Sequence, residues 1–342
     1  MNAVLLAGTF ALALVLTLAL TPVGIRVAWL TGYLDHPEAR KLHTSATALL
    51  GGAVVFLCAF AAWFVARLSF HSPAGREPAL LMFGATLALA LGLWDDRRGM
   101  RPLVKLAGQA LAAGIVVASG AVPAFGLGSP WDPALAMLGI VALMNAVNFL
   151  DNMNGMVAGL SAIALGGYAW ISYERGAYGL AAAQLAVAGA CVGFLHHNFP
   201  RAKVFLGDAG SLFLGYCLGA SAVLALDSTP RGWGWFGPLM ILAYPAFDLV
   251  FVVVNRLREG RKVYQGGKDH SNHRIARVLR CQTTTVILMW LAGAALCASG
   301  LVVLKLAQPM PALLMSGLWL GLFLWAGLRL SFVPHRQETP SG

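Results

Sequence analysis

Asp95 and Asp96 stand side by side in LGLWDDRRGMRPLVK, residues 91–105, in a chain with only fourteen acidic residues among 342. Adjacent carboxylates repel each other, which suits one of them to holding a cation or accepting a proton. The plainer reading is a charge cap paired with Arg97, Arg98 and Arg101. In NFPRAKVFLGDAGSLFLGY, residues 198–216, Gly207 and Gly210 flank Asp208 just ahead of an apolar run. Glycine lets backbone approach a phosphate, a helix N-terminus favours anions, and a carboxylate there suits Mg2+. The alternative is a glycine-rich turn, with Ser211 as the N-cap of the next helix. In NAVNFLDNMNG, residues 145–155, Asn148, Asp151 and Asn154 recur at every third position. On a continuing helix they share a face, with oxygens for a metal and amides for a base edge or a sugar. Otherwise they form a polar interfacial turn. Residues 255–280 carry eight Lys and Arg together with His270 and His273. Such a set suits a diphosphate, whereas a plain basic loop would touch only lipid headgroups.

The elements that position these residues are apolar. Hydrophobic residues make up 58% of the chain and charged residues 11%, and the mean hydropathy is +0.73. A soluble domain carries about 25% charged residues, so this chain requires lipid as part of its solvent. Eleven apolar runs read as membrane helices, near 3–21, 48–66, 79–94, 105–122, 133–149, 156–172, 178–196, 209–226, 235–254, 283–304 and 310–330. The expectation is an all-α polytopic membrane protein with about eleven spans, forming one integral membrane domain over residues 1–342. The first run has no Lys or Arg ahead of it and no clear small-x-small cleavage site, so it reads as a span rather than a signal peptide. Of the 24 Lys and Arg, 19 fall in alternate connections and at the C-terminal end, and only Arg67, Arg76, Arg175, Arg231 and Lys305 fall in the others. The positive-inside rule then puts the N-terminus outside and the C-terminus in the cytoplasm. The loops near 22–47, 95–105, 150–156, 197–208 and 255–282 become cytoplasmic, and every candidate residue above lies at that face. The net charge of +10 is thus an excess at one membrane face, with no call for a nucleic-acid partner. The five cysteines form no CxxC pair, which argues against zinc and disulfides.

With these segments in place, the chain resembles the polyprenyl-phosphate N-acetylhexosamine-1-phosphate transferases, glycosyltransferase family 4. DHPEARKLHTSATALLGG (35–52) resembles the family's D-x-P-x-x-R-K-x-H segment, with Ala46 and Ala48 in place of prolines. GLWDDRRGMRPLVKLAGQ (92–109) is similar to its aspartate-pair motif, and NAVNFLDNMNGMVAG (145–159) to N-x-x-N-x-x-D-x-x-[DN]-G. AKVFLGDAGSLFLG (202–215) matches F-x-G-D-x-G-S-L, and YPAFDLVFVVVNRLREGR (244–261) resembles the P-x-F-D segment. DHSNHR (269–274) resembles H-x-H-H-R, with Asn272 where that pattern has His.

The resemblance implies transfer of a sugar 1-phosphate from a UDP-N-acetylhexosamine, by default UDP-GlcNAc, to undecaprenyl phosphate. UMP is released, and a lipid-linked cell-envelope glycan such as O-antigen or lipopolysaccharide is begun. It implies Mg2+, or Mn2+ in its place, held by Asp208 with Asn148 as a second ligand. Asp95 would engage or deprotonate the lipid phosphate and Asp96 would orient the metal or its neighbours. Asp151 would structure the site, Asn154 would contact the nucleoside base, and Lys105 would join the substrate-binding set. His270, His273 and Arg274 would bind diphosphate or sugar, and Lys41 and His43 would reach in from the first cytoplasmic loop. Asp248, in a predicted helix, would pair with Arg256 or another basic residue. The implied setting is the bacterial inner membrane with the active site on the cytoplasmic face, and a homodimer is a further expectation. Two other classes remain open: an intramembrane prenyltransferase, which would show two motifs with aspartates every three or four residues, and a transporter, which would show mid-helix acids. Asp95 and Asp96 are adjacent with no such repeat, and Asp248 is the only strong mid-helix acid.

Overall fold

Backbone in hydrocarbon must satisfy its own N–H and C=O groups, and the apolar runs do so as helices. The computed structural model describes residues 2–35, 46–69, 76–263 and 267–333. Its helices are α1 (Asn2–Thr31), α2 (Gly51–Ser69), α3 (Glu77–Arg98), α4 (Pro102–Ala118), α5 (Trp131–Leu150), α6 (Met156–Glu174) and α7 (Tyr178–Asn198). They continue with α8 (Gly207–Asp227), α9 (Phe236–Ile241), α10 (Ala243–Arg258), α11 (Ser271–Leu279), α12 (Gln282–Leu306) and α13 (Pro309–Ser331). Two short strands, β1 (Leu34–Asp35) and β2 (Thr47–Ala48), pair antiparallel. The all-α expectation holds apart from this ribbon.

The span count differs from eleven. Among the described residues nine helices are long and apolar enough to cross a membrane, and a bent pair makes a tenth. The run 235–254 is that pair: Trp233–Ile241 and Ala243–Arg258 meet at 71°. Proline explains the break. Pro245 has no N–H for the carbonyl of Ile241, and its ring crowds that carbonyl. The carbonyl of Pro238, just ahead of the break, accepts instead from Tyr168 Oη at 2.8 Å. The remaining run is α4, whose 17 residues fall short of a full span. α4 packs against α5, and Gln109 and Asn145 join the two through paired amides at 2.7 and 3.4 Å.

α8 lies at the centre. Every residue from Ala209 to Leu226 is buried, and α8 packs against α2, α3, α5 and α6. α13 lies at the edge, with Ala312 and Leu330 its buried residues. The ribbon pins the start of α8: Phe205 N donates to Ala48 O at 2.8 Å, and Gly51 and Gly52 N donate to Phe205 and Leu206 O at 3.0 Å. α3 crosses α8 so closely that a Cβ on Gly92 would overlap the backbone of Asp208 and Ala209. The contact has the close backbone approach that small residues allow between membrane helices.

Candidate active site

Asp208 is held by three neighbouring helices. It sits in the first turn of α8, after Gly207 in the left-handed region at φ 71°. A helix leaves its first N–H groups without intrahelical partners. Those of α8 are taken from outside: Asp208 N donates to Asp96 Oδ1 at 2.8 Å and Ala209 N to Asp96 Oδ2 at 3.0 Å. Both oxygens of Asp96 therefore cap α8 from α3. Ser211, expected to be the N-cap, lies inside the first turns, where its Oγ accepts from Asn148 Nδ2 at 2.9 Å.

The side chain of Asp208 meets a second set of groups. Its Oδ1 accepts from Asn148 Nδ2 at 2.8 Å and its Oδ2 from Lys105 Nζ at 2.7 Å. The same ammonium lies 2.7 Å from Asp95 Oδ2 and 3.2 Å from Asn148 Oδ1. One cation therefore joins α3, α4, α5 and α8. The other oxygen of Asp95 accepts from Met100 N at 2.7 Å, which fixes the carboxylate after the end of α3. One turn deeper, the Gln109–Asn145 pair holds α4 to α5 and so sets where Lys105 and Asn148 meet. Gln109 is wholly buried.

The three-residue spacing of Asn148, Asp151 and Asn154 does not place them on one face, because α5 ends at Leu150. The chain turns through residues 151–155, and Asn154 Nδ2 donates to Pro200 O at 3.1 Å, tying this turn to the segment before α8. Gly155 N donates to Asn198 Oδ1 at 2.6 Å from the same side. The Asp151 carboxylate has no hydrogen bond or ion pair among the described residues. Burial pushes its pKa up to about 8, and the charges of Asp208 and Asp96 add to the push.

This predicts a pH dependence with a definite sign. The folded protein holds the Asp151 proton between pH about 4 and about 8, where the unfolded chain has lost it. Stability is therefore greatest below that window and falls as pH rises through it. In a chelating buffer, Asp151→Asn should melt progressively higher than the parent protein as pH goes from 5 to 8, with no further gain above about 8.5. Thermal unfolding across that range checks it, and a difference that shrinks with pH would refute it.

The basic segment forms a further element. Residues 271–279, expected in a loop, are the amphipathic helix α11. Asp248 starts it: Oδ1 accepts from Ser271 N at 2.8 Å and Ser271 Oγ at 2.6 Å, while Oδ2 meets His270 Nδ1 at 2.8 Å. Its basic partner is thus His270 and not Arg256. Arg256 is spent on Asp269, with Nε and Nη2 each 2.8 Å from a carboxylate oxygen. Burial alone would raise the Asp269 carboxyl, but the hydrogen bonds and charge of Arg256 hold it well below the usual range, helped by His270 and Arg261. His270 packs edge-on to Phe149 at 6.0 Å, beside the turn that holds Asp151. His273 Nδ1 is buried without a partner among the described residues. Burial, with His270 nearby, lowers its pKa to about 4, so its ring is neutral at pH 7. Arg274 turns away: Nη1 donates to the carbonyls of Leu330, Ser331 and Val333 at 2.9, 3.1 and 3.1 Å, binding α11 to the end of α13. A diphosphate contact from that nitrogen would require these bonds to open. Lys41 and His43 lie outside the described residues.

The comparisons with known proteins decide the family. A model described as Glycosyl transferase family 4 matches residues 78–226. A probable undecaprenyl-phosphate N-acetylglucosaminyl 1-phosphate transferase of Bacillus subtilis is 30% identical over 325 residues, 92% of this chain and 87% of its own. The chain belongs to glycosyl transferase family 4. A decaprenyl-phosphate N-acetylglucosaminephosphotransferase of Mycobacterium tuberculosis is 31% identical over 296 residues, 76% of this chain and 73% of its own. A phospho-N-acetylmuramoyl-pentapeptide-transferase of Lactiplantibacillus plantarum is 33% identical over 233 residues, 61% and 72% of the two chains.

The matched segment of this family 4 protein runs from α3 to α8 and holds Asp95, Asp96, Lys105, Asn148, Asp151 and Asp208. α11 and its histidines follow it. Gln109 and Asn145 escaped the sequence reading; they were legible only as polar residues inside apolar runs, which is costly without a partner. Asn272, read only as a departure from the histidine motif, donates its Nδ2 to Asn152 Oδ1 at 2.7 Å and joins α11 to the Asp151 turn.

Asp208, Asp151 and Asn148 offer the hard oxygens that Mg2+ takes, and Asp151 lacks a compensating partner. As they stand, no three His, Cys, Asp or Glu side chains among the described residues are grouped to hold one ion. Lys105 occupies that position of charge instead. By donor chemistry the residues suit Mg2+.

Proposed function

We propose that this family 4 protein transfers N-acetylglucosamine 1-phosphate from UDP-N-acetylglucosamine to undecaprenyl phosphate at the cytoplasmic face of a bacterial inner membrane. The observation that supports it most is the Lys105 ammonium seated between Asp95 and Asp208, in a chain whose long-matching relatives bear transferase names. A lipid phosphate oxygen forms a bond to the β-phosphorus of the nucleotide sugar. The bond from that phosphorus to the bridging oxygen breaks, and UMP leaves with that oxygen. A phosphate monoester is mostly ionised at neutral pH, its second pKa being near 6, so little demand falls on a general base. Both oxygens of Asp95 are engaged, by Met100 N and Lys105, so Asp95 positions Lys105 in this reading. Lys105 offers positive charge to the oxygens of the transferring phosphoryl group. Asp96 acts on the α8 terminus and thereby on Asp208. Mg2+ held by Asp208, Asn148 and Asp151 would supply Lewis acidity and a template for the phosphates. The neutral His273 and the fixed His270 flank the same region and are proposed to meet the diphosphate or the sugar.

Donor profiling tests the proposal. Purified protein is given undecaprenyl phosphate, Mg2+ and a panel of UDP-sugars, and UMP is measured. Release with UDP-N-acetylglucosamine, exceeding that with the other donors, is the expected outcome. Absence of UMP from every donor would end the transferase reading.

A further inference from the structure

The end of the bundle away from the cluster holds a cavity of about 500 Å³, bounded by the last turns of α6 and α12 and the loop after α8. α8 starts beside the cluster and runs 21 residues, roughly 30 Å, before reaching this loop. Three cations line the cavity: Arg175, Arg231 and Lys305. Only five Lys and Arg fall in the connections assigned to this side, so most of that small set converges here. Arg175 serves the fold. It donates to Ala225 O at 2.9 Å, to Thr229 Oγ1 at 2.5 Å and to Ser228 Oγ, closing the C-terminal end of α8.

The other two cations are differently placed. Arg231 uses Nε on Ala124 O at 2.6 Å. Its terminal nitrogens and the exposed Lys305 ammonium have no hydrogen-bond or ion-pair partner among the described residues. Glu174 is the acid on the wall, which leaves the lining cationic in sum. Trp170 and Trp233 also line the cavity. Both indoles are partly exposed, as they are where a protein meets the headgroup layer. From the cavity α12 runs back through the bundle with exposed apolar side chains at Val302, Leu291 and Leu288.

We infer that this cavity binds the phosphate headgroup of an anionic membrane lipid, in the leaflet opposite the catalytic cluster. The unpaired cations attract an anion, the volume admits a phosphoglycerol head, and the exposed α12 face accommodates its acyl chains. Free phosphate shares the cation chemistry but has no use for the indoles or for α12. The site is independent of the transfer reaction, since none of its residues belongs to the cluster.

Purified protein in detergent, titrated with phosphatidylglycerol, phosphatidylcholine or inorganic phosphate and read by native mass spectrometry, tests the inference. Phosphatidylglycerol should bind at least about tenfold tighter than phosphatidylcholine. The double variant Arg231→Gln, Lys305→Gln should lose about thirtyfold in that binding, as two cations beside an anionic headgroup imply. Its UMP release should be unchanged, and its melting temperature should fall by no more than the loss of one exposed hydrogen bond to Ala124 O implies. If the double variant does not fold, Lys305→Gln alone, on the exposed last turn of α12, should lose about fivefold. Equal binding of the two lipids, or parental phosphatidylglycerol binding by the folded variant, overturns the inference. Displacement of the lipid by millimolar inorganic phosphate would assign the site to a soluble anion and overturn it as well.

Discussion

Asp208→Asn loses UMP release by about a hundredfold to a thousandfold while the protein inserts and folds at its usual level. The magnitude is that of removing one fixed electrostatic group from a water-poor site. The substitution keeps the shape of the side chain and keeps Asp96 on the amides of residues 208 and 209. What it removes is the charge that holds Lys105 at 2.7 Å and accepts from Asn148 at 2.8 Å. Asp95 is then the sole anion on Lys105 among the described residues, and the oxygens proposed for Mg2+ lose their strongest member. Size-exclusion profiles establish the fold, and UMP release across a range of Mg2+ establishes the function. Activity within a few fold of the parent protein, with the same Mg2+ dependence, would refute the role of Asp208.

Gly92→Ala does comparable damage from outside the cluster, and by a different route. The added methyl would meet the backbone of Asp208 and Ala209, which cannot step aside as a flexible side-chain tip would. α3 must back away from α8, and Asp96 travels with α3 because it lies one turn further along the same helix. Overpacking of this kind costs about 1–3 kcal/mol, and here it also draws the Asp96 carboxylate off two amides. The expected result is a lower melting temperature together with at least about a tenfold loss of UMP release. The two losses should appear together, since one displacement causes both. Parental melting and parental activity would show that the α3–α8 contact is looser than described.

Much of this arrangement is readable in the sequence. Asp95, Asp96, Asp151 and Asp208 stood out because carboxylates near a membrane are costly to desolvate without a purpose, and alternation of sides brought them to one face; Lys105 entered through the family resemblance alone. Positions within that face were less readable. The repeat at 148, 151 and 154 suggested one helical stripe, yet α5 stops at Leu150 and sends Asn154 to Pro200. Spacing predicts a shared face only while the helix lasts. Arg274 looked like a ligand because DHSNHR resembles H-x-H-H-R, but its direction is set by the carbonyls at the end of α13, more than fifty residues away. The partner of Asp248 was legible only as a basic residue, Arg256 or another. Arg256 lies two helical turns from it and is the obvious choice along the chain, while the fold brings back His270. Hydropathy joined 235–254 into one run because it does not register the N–H that Pro245 lacks.

Neighbouring side chains on a helix point about 100° apart. Asp95 and Asp96 read as duplicates in one dimension, but on α3 that angle aims one at a lysine on α4 and the other at the tip of α8. A single added or deleted residue earlier in α3 would rotate both off target together and leave a helix of the same length and greasiness. The bundle would still insert. What it would lose is phase, a property that neither hydropathy nor composition records.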